Sequence, residues 1–310
     1  MKCLTPIWVP NPSYFSPNAV LPQHRFKKIQ VPCGRCYACL RNRANSWALR
    51  LSHEAAVSSS AFFVTFTYDE NALPRDPQGN VCFRYSDIQK FFKRIRKAYS
   101  GVKIKYFVVS EFGTKFGRPH YHALIFNLPF KFACECQYWV SQYWNHGFVQ
   151  VGSVTPKSIQ YCCKYCFKVK DNSKDPLYAQ KMRCSSRPFV GKSFVDEHHS
   201  FYTQRPERHY ISNNNGVKYG FPRAYRNYIF GSESWMPNRQ CYNSYGYSQM
   251  VESNLDDFRI HHQLAEYYTP LLQRGEITRD EYDYLTQDGY YLNRRLMDEQ
   301  LKKEYRKAKF

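Results

Sequence analysis

The chain has 310 residues, 43% of them hydrophobic, and its 45 Lys and Arg against 25 Asp and Glu give a formal net charge of +20. That is ample for one large or two small cored domains, while no run reaches the ~18 apolar residues of a membrane span and no basic segment followed by an apolar stretch opens the chain. A cytosolic protein is therefore expected, with most of its 12 cysteines reduced or bound to metal. A basic field attracts polyanions, and 27 Tyr with 23 Phe provide rings that stack on unpaired bases, so single-stranded nucleic acid is the expected partner.

Residues 1–30 carry Pro6, Pro10, Pro12, Pro17 and Pro22 and read as an extended, irregular arm. Next comes Cys33-Gly-Arg-Cys36-Tyr-Ala-Cys39. With Cys3 these thiols can complete a tetrahedral set for structural Zn2+; a reduced cysteine-rich turn is the alternative. A helix is expected over 41–57 and a buried strand over 61–68, Ala-Phe-Phe-Val-Thr-Phe-Thr-Tyr. Ser86 is placed to cap a helix over 86–99, with Ile88, Phe91, Phe92 and Ile95 on one side and Lys90, Lys93, Arg94, Arg96 and Lys97 on the other. Strand 103–112, the glycine-bounded turn 113–117 and the strand carrying His120-Tyr-His122 predict a hairpin. A helix over 135–144, a strand over 147–154 and a helix opening at Pro156 complete the pattern. The order β-α-β-β-α-β-α predicts an α+β fold, an antiparallel sheet with helices on one face. Beyond 170 the periodicity weakens: 185–191 and 213–216 read as loops, and 258–308 regains helical character. Three consecutive segments are expected: an arm with the cysteine cluster and a helix (1–58), a core (59–170) and an extension of unassigned role (171–310).

Two constellations carry chemistry. In a strand, His120 and His122 project to one face, and the hairpin brings Glu111 back beside them. Two imidazoles and a carboxylate suit Mg2+ or Mn2+ better than a thiolate site would; a solvent-facing His-Tyr-His strand is the plain alternative. Ser158-Ile-Gln-Tyr161-Cys-Cys-Lys164-Tyr165-Cys-Phe-Lys168 repeats Tyr-x-x-Lys in register. At i, i+4 spacing both phenols share a helix face, with Lys164 and Lys168 about a turn away. A tyrosine attacking a phosphodiester needs a cation nearby, because a phenol with a pKa of about 10 is scarcely ionised at neutral pH. Aromatic core positions with solvated lysines are the structural alternative. Cys162, Cys163 and Cys166 read as small packing residues.

Together, Glu111, His120-Tyr-His122 and the paired Tyr-x-x-Lys resemble the HUH endonucleases that initiate rolling-circle replication, whose palm is RRM- or ferredoxin-like. Phe63-Val-Thr-Phe-Thr-Tyr-Asp-Glu70 looks like that family's first motif. Val31-Pro-Cys-Gly-Arg-Cys36, Trp47-Ala-Leu-Arg50 and His53-Glu-Ala55 sharpen the likeness to replication initiators of gokushovirus-like microviruses, small single-stranded DNA bacteriophages, over residues 1–170, with Pro222-Arg-Ala-Tyr225 a weaker echo. The resemblance implies His120, His122 and Glu111 as ligands of a catalytic divalent ion, and Tyr161 or Tyr165 as the nucleophile that leaves a 3′-hydroxyl and a 5′-phosphotyrosine. The second tyrosine would serve rejoining, and Lys164 and Lys168 would hold the phosphate. Origin DNA and the host helicase and polymerase are the implied partners, in the bacterial cytoplasm. No Walker-type Gly-x-x-x-x-Gly-Lys-Ser/Thr occurs, so no helicase of its own is expected. A single-strand HUH transposase and a non-catalytic, zinc-stabilised nucleic-acid-binding or packaging protein are the other readings.

Overall fold

A computed structural model describes residues 3–10, 27–168, 175, 177–212, 216–232, 259–260 and 262–307, the side chains of 29, 166–168, 287–293 and 305–307 excepted. Near the N-terminus β1 (Ile7–Pro10) and β2 (Lys28–Val31) pair antiparallel, Ile7 opposite Val31. The arm expected to be irregular is thus tied as a ribbon at both ends. Then follow α1 (Tyr37–Val57), β3 (Ala61–Phe66), α2 (Tyr85–Ala98), β4 (Lys105–Phe112), β5 (Pro119–Phe126), α3 (Ala133–Tyr143), β6 (Val149–Ser153), α4 (Pro156–Lys168) and β7 (Met182–Cys184). From β3 to α4 this is the order the periodicities predict. Ser86 does not cap α2: the helix starts one residue earlier, with Arg84 at the cap position and no side-chain cap bond. Of the two expected loops, 185–191 contains only an isolated bridge, Ser186 to Phe189, and 213–215 lies outside the described residues.

The strands form one antiparallel sheet in the order β6-β3-β5-β4-β7. The sequence pattern missed β7, three residues long, which pairs with the outer side of β4. Helices cover both faces, not one as expected. On one face Phe62, Val64, Phe66, Val108, Tyr121 and Ile125 pack with Ile88, Phe91 and Ile95 of α2 and Cys136 and Val140 of α3. On the other, Phe107, Val109, Leu124 and Phe126 pack with Leu51 of α1 and Ile159, Cys162 and Cys163 of α4. The reason is in β4 and β5, which are buried along almost their whole length. Strands apolar on both sides need cover on both.

The chain forms two compact units, and these are not the three consecutive segments expected. One comprises Arg43–Ser200 and Ser212–Ile229; the other gathers Met1–Asn42, Phe201–Ile211 and Phe230–Phe310. The break falls inside α1. In the second of these units Thr278 and Glu281 form a reciprocal capping box that starts a short helix, Arg279–Asp283. A longer one, Gly289–Lys307, follows, so the helical character expected over 258–308 is present.

Within the sheet-bearing unit, the motif residues of α1 make a buried knot. Arg50 stacks its guanidinium 4.1 Å from the Trp47 ring centroid and donates from Nε to the Val190 carbonyl at 3.1 Å. Glu54 meets the ammonium of Lys105 at 2.8 Å and accepts the Gly191 N–H at 2.7 Å. Gly191 is left-handed, with φ of 84°, and a Cβ there would overlap the Tyr225 phenol. That phenol contacts His53 Nδ1 at 3.1 Å. Trp47-Ala-Leu-Arg50, His53-Glu-Ala55 and the distant Pro222-Arg-Ala-Tyr225 are thus parts of one packing arrangement.

Candidate active site

Register places the polar residues. In the β4–β5 ladder Glu111 stands opposite His120 and Val109 opposite His122, while β3 sets Thr65 opposite His122. Opposed residues share a face, so Glu111, His120, His122, Thr65 and Phe63 all lie on the side that α4 covers. Thr65 Oγ1 lies 3.1 Å from His122 Nδ1. This leaves Nε2 facing Glu111 Oε2 at 3.4 Å. The Phe63 ring lies nearly parallel to the His122 ring, centroids 5.9 Å apart, which holds the imidazole plane.

From α4, Tyr161 donates its hydroxyl to Glu111 Oε2 at 3.2 Å and lies 3.5 Å from His122 Nε2. Tyr165 donates to the same carboxylate oxygen, with its ring parallel to that of His122. One helix turn therefore delivers both phenols to one oxygen. Tyr165 is buried and Tyr161 half-buried. Burial raises the pKa of both phenols above the ordinary value. For Tyr165 the hydrogen bond to the Glu111 carboxylate raises it further; for Tyr161 the Glu111 charge adds to the rise, against the bond from Tyr165. Both hydroxyls are proton-bearing at neutral pH.

His120 sits beside this group, its ring centroid 6.4 Å from that of His122. Burial, and then the neighbouring His122, lower its pKa, so it presents a neutral imidazole. The donor atoms of Glu111, His120 and His122 do not all fall within 4.8 Å of one another, as the four cysteine sulfurs do among the described residues. Carboxylate with neutral imidazole is nevertheless the right donor chemistry for Mg2+ or Mn2+, and His122 with Glu111 already forms two adjacent positions.

Residues 61–170, which carry this whole arrangement, match the family of the replication-associated protein ORF2. Replication-associated protein VP4 of Bdellovibrio phage phiMH2K is 30% identical over 66% of this chain and 70% of its own length. The chain belongs to the phage replication-associated proteins. ORF2 of Spiroplasma virus 4 is 31% identical over 61% of this chain and 63% of its own length. For ORF4 of Chlamydia phage 1 the figures are 28%, 70% and 58%. Against the N-terminal nuclease domain of the minute virus of mice non-structural protein-1 the TM-score is 0.22 at 12% identity, over 52% of this chain and 82% of that one, too slight a likeness to argue from.

For this replication-associated protein, the fold brings together Glu111, His122, Tyr161 and Tyr165, with His120 adjacent. Lys164 lies half-buried on α4 between the tyrosines; the side chain of Lys168 lies outside the described residues. Sequence reasoning missed Thr65 and Phe63, though their alternation along β3 signalled a shared face. It also missed Gly113. A Cβ at Gly113 would come within 2.8 Å of His120 Cε1, so Gly113→Ala should push the imidazole out of place. We expect metal-dependent activity to fall about 10- to 100-fold, with the melting temperature unchanged; metal titration of the variant checks this.

Proposed function

We propose that this protein starts rolling-circle replication of a small phage genome inside the bacterial host, by nicking and rejoining DNA at Tyr161 and Tyr165. The observation that carries the proposal is the convergence of both phenol hydroxyls on Glu111 Oε2 next to His122. Two nucleophiles on one acceptor suit a reaction that breaks a phosphodiester twice.

Tyr161, the less buried of the pair, attacks the phosphorus first and gives its proton to Glu111. The P–O3′ bond breaks, the 3′ oxygen leaves and takes up a proton, and the 5′ phosphate stays on the phenol. In the closing step Tyr165 cleaves the regenerated origin, and the released 3′-hydroxyl attacks the first phosphotyrosine, returning a proton to Tyr161. The bond energy is kept throughout, so no nucleotide cofactor is needed. His120, His122 and Glu111 would hold a divalent ion, Mg2+ or Mn2+, which when bound polarises the scissile phosphate. Thr65 and Phe63 fix the His122 ring. Lys164 and Lys168 are assigned to the phosphate, and the host helicase and polymerase to strand opening and copying.

DNA approaches from the end of the sheet where the β4–β5 turn projects Phe116, 74% exposed, with the Lys115 ammonium 5.0 Å from its ring centroid. An exposed ring with a cation beside it is a platform for an unpaired base. Phe116→Ala should weaken single-strand binding by roughly 1–3 kcal/mol, about 5- to 150-fold, measured by fluorescence anisotropy at fixed salt. The function itself is tested by incubating the protein with phage origin single strands and Mn2+ or Mg2+, then denaturing. A peptide spectrum placing a nucleotide on Tyr161 or Tyr165 is expected; no surviving adduct with active-site DNA bound sinks the proposal.

A further inference from the structure

Outside the active site, the strongest cluster lies in the unit that gathers both termini. The sulfurs of Cys3, Cys33, Cys36 and Cys39 all lie within 4.8 Å of one another, with Cys36 buried and the others half-buried. Cys3 and Cys36 Sγ atoms are 3.6 Å apart. That is far from the ~2.05 Å of a disulfide and near the ~3.8 Å edge of a tetrahedron with Zn–S bonds of about 2.3 Å.

The backbone is arranged to donate to these sulfurs. Cys33 Sγ accepts N–H groups from Arg35 at 3.3 Å and Cys36 at 3.2 Å, Cys3 Sγ accepts that of Cys33 at 3.3 Å, and Cys36 Sγ that of Leu4 at 3.3 Å. Donated N–H bonds stabilise thiolates, the form that binds metal. The Cys33-Gly34-Arg35-Cys36 turn requires φ of 69° at Gly34, open to glycine and strained for other residues.

We propose that these four cysteines bind one structural Zn2+ that pins the N-terminal segment to the start of α1. Nothing at this site takes part in the tyrosine chemistry, so the proposal stands apart from that reading. The C-terminal helix Gly289–Lys307 braces the same corner: Arg294 donates to the Cys3 carbonyl, and Asp298 Oδ1 accepts the Tyr37 N–H at 2.6 Å. Asp298 thereby serves the first turn of α1, a position where negative charge is favourable, and Lys302 holds its other oxygen at 2.8 Å. Hard oxygen-seeking ions are excluded by the all-sulfur donor set.

Elemental analysis of the full chain, purified under reducing conditions without chelator, should give about one zinc per chain. Cys33→Ser/Cys36→Ser should bring this to background, while Cys134→Ser, an exposed cysteine outside the cluster, should leave it unchanged. Because the double variant can misfold, the wild-type protein is also stripped and reloaded with Co2+. The visible bands of a tetrahedral thiolate site, displaced by Zn2+, support the proposal. Folded wild-type protein without zinc, zinc retained in the double variant, or Co2+ without thiolate bands overturns it.

Discussion

Replacing Tyr161 and Tyr165 together by Phe will abolish the denaturation-resistant DNA adduct and lower strand cleavage by a factor on the order of 10⁴ or more, the scale of losing a covalent nucleophile. Fold and DNA binding should survive, because Phe keeps the rings that pack on His122 and loses only the hydroxyls. The single variants separate the roles. Tyr161→Phe should lose first-strand cleavage, since Tyr161 is the half-buried one of the pair and lies 3.5 Å from His122 Nε2. Tyr165→Phe should still nick but fail to circularise. A gel assay with a labelled origin strand, followed by a ligation readout, distinguishes these outcomes; unchanged cleavage by the double variant would end the proposed mechanism. The pH profile carries the same chemistry. With both phenols raised, the phenolate fraction grows as pH rises, so cleavage should climb through the neutral and alkaline range. In acid it should fall further as His120 protonates, at a pH below the usual histidine value because its pKa is lowered.

The second large effect concerns stability. Glu54→Ala leaves the Lys105 ammonium buried without its carboxylate and the Gly191 N–H without its acceptor. Breaking one side of a buried pair costs about 3–5 kcal/mol. In a unit of this size that is a fall in melting temperature on the order of 10 °C. Glu54→Leu/Lys105→Met removes both charges and should recover much of the loss, because a buried pair replaced by apolar side chains is often neutral. Calorimetry on the three proteins checks this, and a Glu54→Ala variant melting within about 1 °C of the wild type refutes it. Sequence likeness to phage initiators included His53-Glu-Ala55, and a functional role is the natural first guess for such a motif. The geometry gives it a supporting role: it anchors α1 to β4 and to the turn at Gly191, behind the sheet face that carries the histidines.

The sequence by itself determined the elements from β3 to α4, because strand and helix periods of two and about 3.6 residues are written locally in the order of apolar and polar side chains. It likewise settled that His120 and His122 share a strand face and that Tyr161 and Tyr165 share a helix face. Only the tertiary structure decided that Tyr161 and Tyr165 meet at a single oxygen of Glu111, that Thr65 turns the His122 ring, and that helices cover both faces of the sheet. It also decided that β7 joins β4 and that the chain divides inside α1, with its termini gathered in one unit. Those outcomes depend on which distant segments close against one another. Three residues of β7 or one carboxylate paired with a lysine far along the chain leave no periodic trace, since their contacts are made across the fold and not along the chain.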